Sequence, residues 1–187
     1  MATKAAIKKG KKKWFEIYAP KEFREQIIGE SPAYEVSELK GRNITVDASK
    51  IADSKKSNVK LIFKVTDVKD KGAFTELVGY EIPQSSIKRS VRVNSSKVAD
   101  SFKLKTSDGV DVVLKPVIIT KGKTVNSVLT TIRKQLKEGL TKFVHETKYS
   151  ELMMEVIRGK VQFNIKNSLK KTYPVTFCDF SKIKRGV

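Results

Sequence analysis

A chain of 187 residues is long enough to bury a hydrophobic core without cross-links. Its 39 Lys and Arg against 20 Asp and Glu give a formal charge of +19, which repels itself unless a polyanion is near. The single cysteine, Cys178, excludes a disulfide framework and a multi-cysteine zinc site, and no apolar run approaches the roughly 20 residues of a membrane span.

The polyanion that answers this charge is RNA, DNA or an anionic membrane. No apolar signal core opens the chain, so the expectation is a cytosolic protein. Residues 1 to 13 carry Lys4, Lys8, Lys9, Lys11, Lys12 and Lys13, no acid and no aromatic side chain. Such a block cannot fold alone and reads as a disordered basic arm that orders on RNA. Trp14, Phe15, Ile17 and Tyr18 follow and stop at Pro20, a first strand or anchoring segment where the folded body begins.

From residue 33 to 119, β-branched and aromatic runs alternate with turn residues. The predicted strands are Tyr34 to Leu39, Asn43 to Asp47, Val59 to Val68, Phe74 to Ile82, Phe102 to Thr106 and Val110 to Ile119. Ser107-Asp108-Gly109 is a hairpin turn, and Pro116 inside the last run demands an edge or a bulge. Ser85 to Arg92 can hold one or two helical turns through Ile87 and Val91.

Over residues 125 to 148 the period changes: Val125, Val128, Leu129, Ile132, Leu136, Leu140, Phe143 and Val144 fall three or four apart, one face of a helix capped by Thr124 or Asn126. A shorter helix runs from Ser150, its expected cap, to Gly159. Residues 161 to 171 fit either period, since Val161, Phe163 and Ile165 alternate while Val161, Ile165 and Leu169 step by four. Tyr173-Pro174 ends that segment, and Val175 to Phe180 reads as a last strand before a basic tail.

The expected fold is α+β: an arm at 1–13, then a single globular domain at 14–187. Within it, 14–120 forms a mostly antiparallel β-barrel or sandwich body and 121–187 a mainly helical part with a final strand.

Catalytic signals are weak. Gly122-Lys123-Thr124 looks like the end of a phosphate-binding loop, but Val117 stands where that loop needs glycine, leaving a plain strand-to-helix turn. His145 is the only histidine, so no two-histidine metal site or acid/base pair exists, and a surface position is expected for it. Cys178, between Phe177 and Phe180, reads as a core thiol. Asn43-Ile44-Thr45 and Asn94-Ser95-Ser96 match a glycosylation sequon by chance. The expectation is a non-enzyme with no cofactor and no metal.

Several stretches stand in a telling order: Lys12-Lys13-Trp14-Phe15-Glu16-Ile17 with Ala19-Pro20 and Phe23, Ile28-Gly29, Leu39-Lys40-Gly41-Arg42, Lys105-Thr106-Ser107-Asp108-Gly109, the long helix, and Tyr173-Pro174. Their collinear order resembles the S-three-A-e (also S-one-e) ribosomal protein family of archaeal and eukaryotic small subunits. The resemblance implies a non-enzymatic component of the small subunit that binds ribosomal RNA among other small-subunit proteins, on the platform near the mRNA exit, and it favours a helix at 161–171. Its absent terminal extensions look archaeal.

RNA contacts follow from charge and position alone: Lys8, Lys9, Lys11, Lys12 and Lys13 of the arm; Arg42; Lys88, Arg89 and Arg92; Arg133, Lys134 and Lys137; and Lys182, Lys184 and Arg185. Two rival classes are a free-standing RNA chaperone, which would bind many unstructured RNAs alike, and an RNA-acting enzyme, which one acidic or hydroxyl substitution would silence. A membrane-surface role is weaker, because the long helix lacks an aromatic-rich insertion face.

Overall fold

The computed structural model describes residues 11–51, 58–69 and 72–186. Among the described residues, nine strands and five α-helices follow in an α+β arrangement: β1 Lys13–Tyr18, β2 Ile27–Ala33, β3 Asn43–Asp47, α1 Ala48–Ile51, β4 Lys60–Lys69, β5 Gly72–Glu81, α2 Gln84–Ser90, β6 Lys97–Ala99, β7 Phe102–Lys105, β8 Asp111–Thr120, α3 Asn126–Glu146, α4 Tyr149–Arg158, α5 Lys160–Lys170 and β9 Val175–Arg185. Pairing runs β2-β1-β5-β9-β8-β6, with β4 joining β3 to β5 and β7 beside β8. No pairing among the described residues closes this path, so the sheet is open where a barrel or sandwich was expected. It is also mixed, because β1 lies parallel to β5 while its other neighbour, β2, is antiparallel. Lys13 already belongs to β1, one residue inside the stretch predicted as arm; Lys8 and Lys9 lie outside the described residues.

Two compact units divide the chain, residues 1–44 with 63–77 and residues 45–62 with 78–187. In the first, the inward side of β1 and β5 meets Leu39 and Val65, giving a core of Ile17, Ala33, Leu39, Val65 and Ala73 with Phe15, Val36, Ile44 and Val68 against it. The rings of Phe23 and Phe63 meet edge to face at 5.7 Å. Tyr34 to Leu39, predicted as a strand, instead holds a 3-10 turn at Val36–Leu39. The spacing explains it: Val36 and Leu39 are three apart and both turn to the core, whereas a strand would send them to opposite faces. Glu38 closes the turn by accepting from the Tyr34 N–H at 3.2 Å.

In the second unit β8 is the central strand. β9 pairs along it from Val112↔Arg185 to Thr120↔Val175, and β6 and β7 take its other edge. The register shifts between Lys115 and Pro116, the bulge that the proline required. Ile132, Leu136, Leu140 and Val144 form the buried stripe of α3, four residues apart as an amphipathic helix demands. Its cap is Val125 without a side-chain hydrogen bond, in place of the expected Thr124 or Asn126. Similarly α4 starts at Tyr149 after Lys148, which moves Ser150 from cap to first turn. Gly159, at φ +80°, ends α4 by donating to the carbonyls of Glu155 and Val156, then opens α5. Residues 161 to 170 are thus helical. β9 is longer than predicted and carries Lys182, Lys184 and Arg185 inside the sheet, so these residues form no tail.

Candidate nucleic-acid interface

α2 follows Pro83 and buries Ile87, and the Val91 N–H closes its end on the Lys88 carbonyl at 3.2 Å. Lys88 and Arg89 occupy its last turn, exposed, where the carbonyl end of a helix favours cations. Arg92 opens a tight turn two residues on: its carbonyl accepts from the Ser95 N–H at 3.2 Å and the Ser95 hydroxyl at 2.7 Å, while its own N–H donates to that hydroxyl at 3.2 Å. Asn94 at φ +64° completes the turn, and Val93 at its tip is 93% exposed. Three guanidinium or ammonium groups are therefore close in the chain on a rigid support. Their pattern was legible; the turn that presents Arg92 and Val93 was not, because nothing in the sequence marks Ser95 as its clasp.

The three nominated residues of α3 divide. Lys134 and Lys137 are exposed, three apart on the solvent side. Arg133 instead stands 3.4 Å from the half-buried Asp100, whose Oδ2 has no hydrogen-bond partner. This ion pair links the helix to the connection between β6 and β7, while the rest of the Arg133 side chain stays open to solvent.

β9 repeats that division. Lys182 Nζ meets Glu81 at 3.0 Å and Arg185 lies 5.6 Å from the centre of the Tyr149 ring, so both are engaged; Lys184 is exposed. Ile183 between them is fully buried, which is what draws the basic run into the sheet.

In the first unit, Lys11, Lys12 and Lys13 are exposed, with Lys12 above the Tyr34 ring at 5.5 Å. Arg42 is partly buried, and its Nη1 donates to Ser31 Oγ and to the Pro32 carbonyl, each at 3.0 Å. A guanidinium fixed on two acceptors of β2 is a clamp on that strand before it is a phosphate ligand.

The other motifs settle into structural places. Gly122-Lys123-Thr124 is the turn from β8 to α3, tied by the Thr120 hydroxyl on the Gly122 carbonyl at 2.7 Å and by the Thr124 N–H on Ser96 Oγ at 3.1 Å. His145 is exposed, and Cys178 is half-buried where a core thiol was expected. Among the described residues no cluster of His, Cys, Asp and Glu is placed to hold a metal, and no helix is long and apolar enough to cross a membrane.

A family model described as the ribosomal S3Ae family matches residues 3–185, nearly the whole chain. The chain belongs to that family. S3Ae relatives named small ribosomal subunit protein eS1 cover most of it. One from Saccharolobus islandicus is 32% identical over 92% of this chain and 84% of its own length. Others from Saccharolobus solfataricus, 30% identical over the same shares, and from Nanoarchaeum equitans, 31% identical over 89% of this chain and 85% of its own, place the S3Ae match on both units described above.

Proposed function

We propose that the chain is a structural, non-catalytic constituent of the small ribosomal subunit that holds ribosomal RNA by fixed charge and shape. The observation that carries the reading is the similarity to proteins named small ribosomal subunit protein eS1, which extends over most of their length and most of this chain. The +19 charge is the physical counterpart, since each cation that meets a phosphate releases condensed counterions. Exposed Lys88, Arg89, Arg92, Lys134, Lys137 and Lys184 are the residues we assign to phosphate, with Lys8, Lys9, Lys11, Lys12 and Lys13 as a second group. Arg42, Arg133, Lys182 and Arg185 serve the fold first, through the contacts described above.

A-form RNA offers phosphates and 2′-hydroxyls across a shallow minor groove, which a rigid turn such as Arg92 to Ser95 reads by shape rather than sequence. The cytoplasmic ribosome is then its location, other small-subunit proteins its neighbours, and mRNA near the exit a further contact. Sedimentation of native lysate through sucrose at moderate and raised salt tests this. Comigration with small-subunit RNA at near one copy per particle, persisting at raised salt, is expected. A protein that stays at the top, or leaves at modest salt, would return the question to a free RNA chaperone.

A further inference from the structure

The outer face of β1 and β2, in the first unit, has chemistry at odds with the rest of this basic chain. Trp14, Glu16 and Tyr18 alternate with the inward Phe15 and Ile17, and register sets them opposite Pro32, Glu30 and Ile27 of β2. Trp14 is 68% exposed and Ile27 58%, two large apolar side chains left to water on one small face. Between them, exposed Glu16 and Glu30 face each other directly across the strands. Like charges in direct cross-strand register destabilise a sheet, and here they do so in a protein of charge +19. Tyr18 donates to the Glu16 carboxylate and its ring stacks on Phe74 at 5.4 Å, which fixes the floor beside the acidic pair. Gly72 lies beneath: an added Cβ there would fall 2.6 Å from the Glu16 carbonyl and 2.7 Å from the Tyr18 ring.

We propose that this face docks a segment of another polypeptide in which apolar side chains stand beside Lys or Arg, in preference to RNA. Two facing carboxylates repel phosphate, whereas one cation placed between them relieves their repulsion and satisfies both. Trp14 and Ile27 supply the apolar grip on either side, the aromatic anchor and neighbour that carry affinity at protein interfaces. The face is used rather than the strand edge. β2 ends the sheet, and Pro32 in it offers no N–H while its carbonyl is taken by Arg42.

Trp14 is the only tryptophan, so its fluorescence reports on this face and on the Lys11 to Lys13 stretch beside it. The full chain carrying Lys11→Ala, Lys12→Ala and Lys13→Ala, which removes the neighbouring cations assigned to phosphate, is titrated with a peptide of alternating Arg and Leu, with a Glu and Leu counterpart, and with oligouridylate. A saturable blue shift with the Arg-Leu peptide only is expected, weakened roughly tenfold by Glu30→Lys, which sets a cation opposite Glu16 and should leave the melting temperature intact or raised. An equal shift with oligouridylate would make the face an RNA surface and overturn the proposal. So would no shift with the Arg-Leu peptide, an equal one with the acidic peptide, or a response that a folded Glu30→Lys protein retains.

Discussion

The phenol of Tyr80 donates to Asp179 Oδ1 at 3.1 Å inside the second unit, with Tyr80 wholly buried and Asp179 nearly so. Gln162 Nε2 donates to the same oxygen at 3.0 Å and to the Val156 carbonyl at 2.9 Å, and the Phe180 N–H adds a bond of 2.9 Å. One carboxylate thereby ties β5, β9 and the pair α4 and α5 together. Tyr80→Phe removes one donor and leaves the others, so it should cost about 1 kcal/mol in urea melts. Asp179→Leu strands three buried donors and should cost about 3 kcal/mol or more, whereas Asp179→Asn, which keeps the oxygen, should lie between.

Burial, and secondarily the neighbouring Asp179 charge and the hydrogen bond to it, hold the Tyr80 phenol far above its ordinary value of 10.0. The native protein therefore keeps a proton at alkaline pH that the unfolded chain loses. The stabilisation is complete below pH 10 and declines as pH rises above it. Stability measured at increasing pH should fall in that range more steeply for the natural protein than for Tyr80→Phe. Tyrosinate absorbance should show Tyr80 ionising only with unfolding. Equal slopes for the two proteins would contradict this.

Much of this fold can be read in the chain and some cannot, for physical reasons. β3 and α3 are carried by their own periodicity, and the bulge at Pro116 by a missing N–H. β2 is different: Gly29 and Pro32 interrupt it, and its extended form is imposed by pairing with β1. β6 has three residues, too few for any period. Among site residues the basic excess is visible at once, yet Arg133 and Lys182 are claimed by Asp100 and Glu81, acids distant in sequence. Charge counts cannot tell such cations from those left to a ligand.

Arg42 separates clamp from charge. Both bonds leave the single Nη1 at the end of the longer arginine stem, a position that a lysine ammonium does not reach without shifting, so Arg42→Lys should lower stability by up to about 1 kcal/mol while the net charge stays constant. Binding to small-subunit RNA at fixed salt should change little once both proteins are folded. A large loss of RNA affinity without loss of stability would mean that Arg42 reaches phosphate after all.

Arg133, Lys134 and Lys137 share one helix but should respond differently. Lys134→Ala with Lys137→Ala removes exposed ammonium groups from α3, so melting should change by no more than about 0.5 kcal/mol. If both reach phosphate, the slope of log affinity for small-subunit RNA against log salt should become shallower by roughly 1.8. Arg133→Gln leaves Asp100, partly buried, without its cation, so it should lower stability by about 1 kcal/mol and alter the salt slope less than either lysine does. Filter binding across a salt series, with urea melts of the same proteins, checks both halves. A pair of lysine substitutions that leaves the slope unchanged would remove this side of α3 from the RNA surface.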